Sequence, residues 1–520
     1  MNRAVTLGLL LATALALVFR CPDLGNRPMH NDEAVNAIKF RSLWEQGAYK
    51  YDPDEHHGPT LLYLTQAWAK LSRGPDFARY SEARLRFLTV LFGVGLILLL
   101  PLVVDGLGRR ATICAALLTA ISPGMVFYSR YYIHEMLLVF FTFLAIIAGW
   151  RYTRSRKIGW ALLCGAAIGL MQATKETFVL PLAAMAAALI LNQLWTRWMD
   201  ARSAGVQLAI KPRHAAAALG VWLVVAFLLF SSFFTNAAGP LDAIRTYLPW
   251  LHRAAGASPH IHPWHFYLSR LAFFHTQGGP IWSEGLILGL ALVGGLAAFA
   301  RKLPPDSNAG FIRFLAFYTL ILTVIYSAIA YKTPWCLLGF WHGMILLAGV
   351  GAVAIIQWLP QRGLKLAATL LLLAGAGQLA GQAWSASFKY CADPRNPYVY
   401  AQTSSNFLEL VTQLDALAAV KSPGRQTVVK VMSPGSDFWP LPWYLRQFDH
   451  VGWWGEMPAD PFAPVMIVST KFNASLETKK THVMVGLFKL RPDAFLELYV
   501  ELDLWRAYLE SRPKPPEPVP

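Results

Sequence analysis

Eleven runs of mostly apolar residues dominate this 520-residue chain, at 4–20, 87–104, 111–128, 133–150, 158–174, 177–194, 215–234, 284–300, 314–330, 336–358 and 366–384. A run of roughly 17 to 25 such residues can satisfy its backbone inside a bilayer only as a helix that crosses it. The expected fold class is therefore a polytopic α-helical membrane protein with about 11 transmembrane helices. Composition agrees, with 55% hydrophobic and 15% charged residues and a mean hydropathy of +0.39, too apolar for a soluble chain of this length. The first run is read as a span rather than a cleaved leader, because Phe19-Arg20-Cys21-Pro22 offers neither a small-x-small site nor a lipobox.

The short connections alternate in charge. One set carries Arg109 and Arg110, then Arg151, Arg154, Arg156 and Lys157, then Arg197, Arg202, Lys211 and Arg213, then Arg301, Lys302 and Arg313, then Arg362 and Lys365. The other short connections hold a single cation each, Arg130, Lys175 and Lys332. Since the Lys/Arg-rich side faces the cytoplasm, the N-terminus is expected inside, in the cytoplasmic (inner) membrane. Segments 21–86, 235–283 and everything after about 385 are expected outside. The clustering also explains the net charge of +16 as a topology signal, so no nucleic-acid partner is expected. Cys21, Cys114, Cys164, Cys336 and Cys391 lack metal-ligand spacing, which implies neither a disulfide framework nor a zinc site.

Two stretches in the outer segments, Thr60 to Leu71 and His262 to His275, are too short to span and rich in aromatic residues. They read as helices lying in the interface, roofing a cavity. After 385 a helical stretch near Ser405 to Val420 and strand-like runs at Thr427 to Met432, Val465 to Ser469 and His482 to Leu490 predict a small extracytoplasmic α/β domain. The expected organisation is a transmembrane domain at 1–384, the α/β domain at 385–511 and a disordered Pro-rich tail at 512–520.

Chemistry-bearing residues gather on the expected outer side. In Met29-His30-Asn31-Asp32-Glu33-Ala34 the adjacent carboxylates must point in different directions, so one can enter a cavity as a general base while its neighbour holds the local structure. The plainer reading makes Asp32 the cap of a helix over 34–44. In Asp52-Pro53-Asp54-Glu55-His56-His57-Gly58-Pro59, two histidines beside acids suit sugar recognition. A divalent ion stays open as an alternative, although the spacing matches no metal motif, and Gly58-Pro59 equally starts a helix. Arg130 and His134 are four apart and share a face if their helix starts early, with Glu135 just inside the outer leaflet; a snorkelling Arg130 is the alternative. Lys175, and Lys332 next to Tyr331, are isolated outward cations that call for an anion, either a lipid phosphate on the substrate or ordinary headgroups. The candidate catalytic groups are thus Asp32, Glu33 and Glu135. Arg130, Lys175 and Lys332 are the candidate phosphate ligands, and His56, His57, His134 and Tyr331 the candidate substrate contacts, with no metal-ligand set assigned.

The Asp32-Glu33 pair after the first span, the acid-bearing turn from Arg130 to Glu135 and the many-spanned body resemble the GT-C membrane glycosyltransferases, which include protein O-mannosyltransferases and aminoarabinose transferases. More narrowly, His30-Asn31-Asp32-Glu33-Ala34, Tyr51-Asp52-Pro53 with His57-Gly58-Pro59, Tyr331-Lys332-Thr333-Pro334-Trp335 and Pro394-Arg395-Asn396-Pro397-Tyr398 resemble a prokaryotic branch related to an archaeal flippase-associated glycosylation protein. The resemblance implies a polyprenyl-phosphate-linked sugar as donor, inversion at the anomeric carbon, and a glycan, protein or lipid acceptor. It places Asp32 as the first-loop base and Arg130 with Glu135 on the second-loop acidic motif, although the intervening Tyr-Tyr-Ile-His departs from that motif's usual wording. Lys175 and Lys332 match no superfamily motif, so their phosphate role is a physical expectation alone.

Two functions fit these expectations. A glycosyltransferase needs Asp32 as a base near the donor's anomeric carbon; a flippase, or a flippase-associated protein handing over lipid-linked sugar, does not.

Overall fold

The computed structural model describes residues 3–54, 57–199, 210–250, 260–420 and 424–512. Glu55, His56, Arg202 and 513–520 of the Pro-rich tail, all cited above, lie outside the described residues. The chain is a multi-pass membrane protein. The eleven apolar runs appear as helices α1 (Arg3–Arg20), α4 (Glu82–Leu99), α5 with α6 (Arg109–Ile121 and Pro123–Ser129), α7 (Glu135–Ser155), α8 (Ile158–Thr174), α9 (Val179–Met199), α10 (Pro212–Phe230), α12 (Gly285–Phe299), α13 (Ala309–Ala328), α14 (Leu338–Trp358) and α15 (Arg362–Trp384), with α2 (Asn31–Gln46), α3 (Thr60–Leu71) and α11 (Phe266–Ala272) in the long connections. Eight of these segments are individually long and apolar enough to cross a bilayer, while α8 and α12 are shorter apolar helices.

The remaining span, α5 with α6, bends by 58°. Pro123 has no N–H to continue the ladder, and Ser122 caps the new helix by accepting from Met125 N at 3.4 Å. Between α12 and α14 the crossing is close because both faces are glycine: a Cβ on Gly294 would meet Leu347 O at 2.0 Å, and one on Gly351 would meet Leu290 O at 2.0 Å. Without a hydrophobic drive between helices in lipid, such backbone proximity supplies the packing.

Beyond α15, α16 (Phe407–Val420) and α17 (Leu502–Ser511) flank a five-stranded sheet of order β2-β1-β3-β5-β4, with β1 Val429–Met432, β2 Val451–Trp454, β3 Val465–Ser469, β4 His482–Arg491 and β5 Ala494–Glu501. Strands β1, β2 and β3 run parallel, while β5 is antiparallel to β3 and β4. Phe407, Leu410 and Leu414 pack with Val431, Ile467 and Leu498 on one face; Met432, Met466 and Tyr499 form the other. Sequence patterning missed β2 and β5, since β2 is four residues that include Gly452 and β5 carries Glu497 and Glu501.

This small domain and the segment leading into it are bonded to the first residue of α4 and to the loop after α1. Trp443 Nε1 donates to Glu82 Oε1 (2.7 Å), Tyr444 OH accepts from Met29 N (2.9 Å), and Gln402 Nε2 donates to Pro28 O (2.9 Å). Gly294→Val is expected to prevent the α12–α14 crossing and to abolish the detergent-stable monodisperse protein, because backbone rather than a flexible side chain blocks the new carbon. Gly289→Val on the same helix meets nothing within 4 Å and should purify like the parent; size-exclusion chromatography compares them.

Candidate functional site at the loop end of the bundle

Glu33 is fully buried and accepts from four directions. Arg86 grips it with Nε to Oε1 and Nη2 to Oε2, both 2.7 Å; Tyr132 N donates to Oε1 at 2.9 Å and His30 N to Oε2 at 3.0 Å. Arg27 adds a longer contact at 3.4 Å. Arg86 also donates through Nη1 to Leu24 O (2.7 Å) and Arg27 O (2.9 Å). Burial alone would raise the Glu33 carboxyl, yet the charges of Arg86 and Arg27 hold it down at about 2. One ion pair thereby ties the first loop, the start of α2 and the α6–α7 turn to the top of α4.

Neighbours on a helix diverge by about 100°, so the inward anchoring of Glu33 turns Asp32 toward open space, with 45% of its side chain exposed. His30 closes this first turn. Its Nδ1 accepts from Asp32 N (3.1 Å), its Nε2 lies 3.1 Å from Tyr400 O, and its ring stands edge-on to Trp335. Tyr400 OH in turn bonds His260 Nδ1 (2.7 Å) and His262 Nε2 (3.0 Å). The 260–262 segment pairs with 330–332 through His262 N to Ala330 O (3.0 Å) and Lys332 N to His260 O (2.8 Å). Burial lowers the His260 imidazole while the nearby Asp32 charge opposes the change.

Tyr331, predicted as a substrate contact, faces His260 at 5.0 Å and Trp250 at 6.5 Å between ring centroids. Trp250 stacks on His57 at 5.4 Å, so the first-loop and later clusters are joined by one chain of ring contacts. There His57 Nδ1 lies 2.9 Å from Glu176 Oε2, its ring is edge-on to His134, and His134 Nε2 bonds Gly58 O at 3.2 Å. Lys175 pairs directly with Glu135, and both are buried. Among the described residues no group of three or more His, Cys, Asp or Glu is arranged to hold a metal ion.

The three cations expected to face a phosphate are engaged elsewhere. Residues 131–134 are not helical and α7 starts only at Glu135, so Arg130 and His134 share no helical face. Arg130 donates to the carbonyls of Arg20 (2.9 Å), Pro22 (2.6 Å) and Asp23 (3.2 Å) and lies over Phe388. Lys332 Nζ donates to His262 O at 3.1 Å and to Ile329 O. Arg270 on α11 is different: its guanidinium carbon sits 4.0 Å from the Phe266 ring centroid and 5.4 Å from that of Phe274, and its Nε is buried without a hydrogen-bond partner. It has no acidic partner among the described residues, and its charge reaches Tyr400 and His262.

Arg86, His260, His262, Tyr400 and Arg270 were not singled out from sequence. The logic that selected Lys175, a lone cation on the outward side, applies equally to Arg270, and His260-x-His262 precedes the same aromatic run. Tyr400 had no such signal. Its position follows from fully buried Glu284, which accepts from Tyr398 OH (2.6 Å), Ser122 Oγ (2.5 Å) and Gly124 N (3.0 Å) and fixes the 398–400 segment against the kink at Pro123.

Residues 65–238, roughly a third of the chain, match the family model described as Dolichyl-phosphate-mannose-protein mannosyltransferase. ArnT from Cupriavidus metallidurans bound to undecaprenyl phosphate superposes with a TM-score of 0.62 at 14% identity, covering 94% of this chain and 97% of that one. The archaeal oligosaccharyltransferase AglB from Archaeoglobus fulgidus, in complex with an inhibitory peptide and a dolichol-phosphate, gives 0.55 at 13% identity, covering 91% of this chain. Coverage of the Archaeoglobus oligosaccharyltransferase chains is 70% and 64% in two structures. No curated protein matches by sequence.

Arg86→Gln is expected to destabilise the protein by about 3–5 kcal/mol, because it leaves Glu33 charged and buried. The effect has a pH signature. A carboxyl depressed in the folded state stabilises above its unfolded value of about 4.3. That contribution fades as pH falls from there through about 2. The thermal-midpoint gap between parent and Arg86→Gln should therefore narrow below about pH 4.

Proposed function

We propose that this chain, whose membrane body has the fold of the GT-C glycosyltransferases, moves a sugar from a polyprenyl-phosphate donor to an acceptor hydroxyl at the outer face of the cytoplasmic membrane. The carrying observation is Asp32: a half-exposed carboxylate beside the buried, fully bonded Glu33 and close to His260, at the edge of what in this reading is a donor hollow bordered by His260, Tyr331, Trp250 and His57. The lipid phosphates bound in the ArnT and AglB structures, undecaprenyl phosphate and dolichol-phosphate, support a lipid phosphate as the anion. The Lys/Arg-rich connections support an inside N-terminus and an extracytoplasmic α/β domain.

In this reading Asp32 takes the proton from the acceptor hydroxyl as its oxygen attacks the anomeric carbon. The bond from that carbon to the phosphate oxygen breaks with inversion, and the lipid phosphate leaves with the electron pair. Arg270, held between Phe266 and Phe274, meets the phosphate charge in place of Arg130, whose donors are spent on loop carbonyls. Glu33 positions Asp32 without touching substrate, and the Lys175–Glu135 pair braces the wall behind His57 and His134. A hydroxyl-bearing sugar can hydrogen-bond His57 and stack on Tyr331 and Trp250.

Asp32→Asn in proteoliposomes loaded with polyprenyl-phosphate sugar should lower transfer by at least about 10²-fold with unchanged lipid binding and thermal midpoint; full transfer in the variant would remove Asp32 as the base, and lipid binding without transfer in the parent would favour a carrier role. Arg270→Gln should weaken donor binding about tenfold or more, read by titration of the lipid phosphate, because a charge-assisted bond to the phosphate is lost. Unchanged affinity would take Arg270 out of the site.

A further inference from the structure

Below the hollow, α7, α13 and α14 enclose a small cavity lined by Val139, Thr142, Tyr318, His342, Gly343 and Leu346 among others. About 10 Å³ of it is open to the centre of a water-sized sphere. Two of the groups in its wall are polar, buried and without any hydrogen-bond partner: the Tyr318 hydroxyl and His342 Nε2. The hydroxyl of Thr319, next to Tyr318 but outside the lining, is a third buried polar group without a partner. It faces the same helix, since a Cβ on Gly343 would come within 2.3 Å of Thr319 Oγ1. The His342 ring is edge-on to Phe143, with centroids 4.7 Å apart.

Three unsatisfied polar groups gathered in the interior of a membrane bundle carry a large desolvation cost, because no solvent outside the bundle can replace the missing bonds. A volume near 10 Å³ is about what one water needs, and an internal water requires two to four polar partners. A genuinely dry cavity of this kind would be lined by apolar side chains alone. Gly343 also matters, because any side chain there would close the approach to Thr319.

We infer that this cavity is a binding site for one internal water, held by His342 Nε2 and the Tyr318 hydroxyl with the Thr319 hydroxyl in reach. Tyr318 and Thr319 each donate one bond and accept another, so the water can be satisfied whichever imidazole nitrogen carries the proton. Thr142 in the wall lies seven residues beyond Glu135 on α7, about 10 Å deeper on the same face. The water therefore extends the polar interior beneath the Lys175–Glu135 pair, and it is independent of the reading of the hollow above.

The sign of a conservative substitution decides the matter. With water present, Tyr318→Phe deletes one of its bonds and the thermal midpoint falls by about 1–3 °C; in a dry cavity the same change removes an unsatisfied hydroxyl, and the midpoint rises. Combined Tyr318→Phe and Thr319→Val should cost less than the sum of the single changes, because the water is lost once. Cryo-EM of the parent should show a density peak within hydrogen-bonding distance of His342 Nε2 and Tyr318 Oη that is absent from the double variant. A raised midpoint in Tyr318→Phe, or no peak at a resolution where other internal waters are visible, overturns the proposal.

Discussion

A carboxylate and a guanidinium buried against each other at the loop end of the bundle organise everything above the membrane-spanning body. Burying the charge of either Glu33 or Arg86 there alone would carry a large desolvation cost, and together they need further partners, which the carbonyls of Leu24 and Arg27 and the amides of His30 and Tyr132 provide. Such a pair adds little net stability over an apolar replacement, but it tolerates only one arrangement of the groups around it. The loop before α2 and the α6–α7 turn are therefore held in one register against α4, and the orientation of Asp32 is a consequence of that register. The same principle recurs at Lys175–Glu135 and at Glu284, each tying a loop or a broken helix to a neighbour.

The cations at this end of the bundle differ in their partners. Arg130 and Lys332 end on backbone carbonyls, Lys175 ends on a carboxylate, and Arg86 does both. All four are bonded to protein oxygens. Arg270 ends on aromatic faces, which hold a guanidinium in place while leaving its N–H groups able to grip a planar or tetrahedral anion.

The body of the fold was legible because a bilayer imposes a length and a composition on each span, and every one of the eleven apolar runs became a helix. Charge in the connections marked the loops that converge, and Asp32, His57, His134, Lys175, Tyr331 and Lys332 do gather at one end of the bundle. What each side chain does there was not legible. Whether Asp32 or Glu33 turns inward depends on Arg86, more than fifty positions away, and the helical phase assumed for Arg130 and His134 fails because Tyr131 and Tyr132 are drawn into the interior, where they bond Gln402 and Thr65. The sheet was half legible for a similar reason, since β2 and β5 are fixed by their neighbours more than by their own alternation.

In the proposed reading a lipid-linked sugar phosphate occupies the donor hollow with its anomeric carbon turned toward Asp32. A cryo-EM structure of the protein with a non-hydrolysable polyprenyl-phosphonate sugar tests this most directly. The account predicts the phosphonate against Arg270, and the sugar between Tyr331 and Asp32 with room for one hydroxyl beside the carboxylate. Phosphonate density outside the hollow, or a sugar whose anomeric carbon faces away from Asp32, would contradict it.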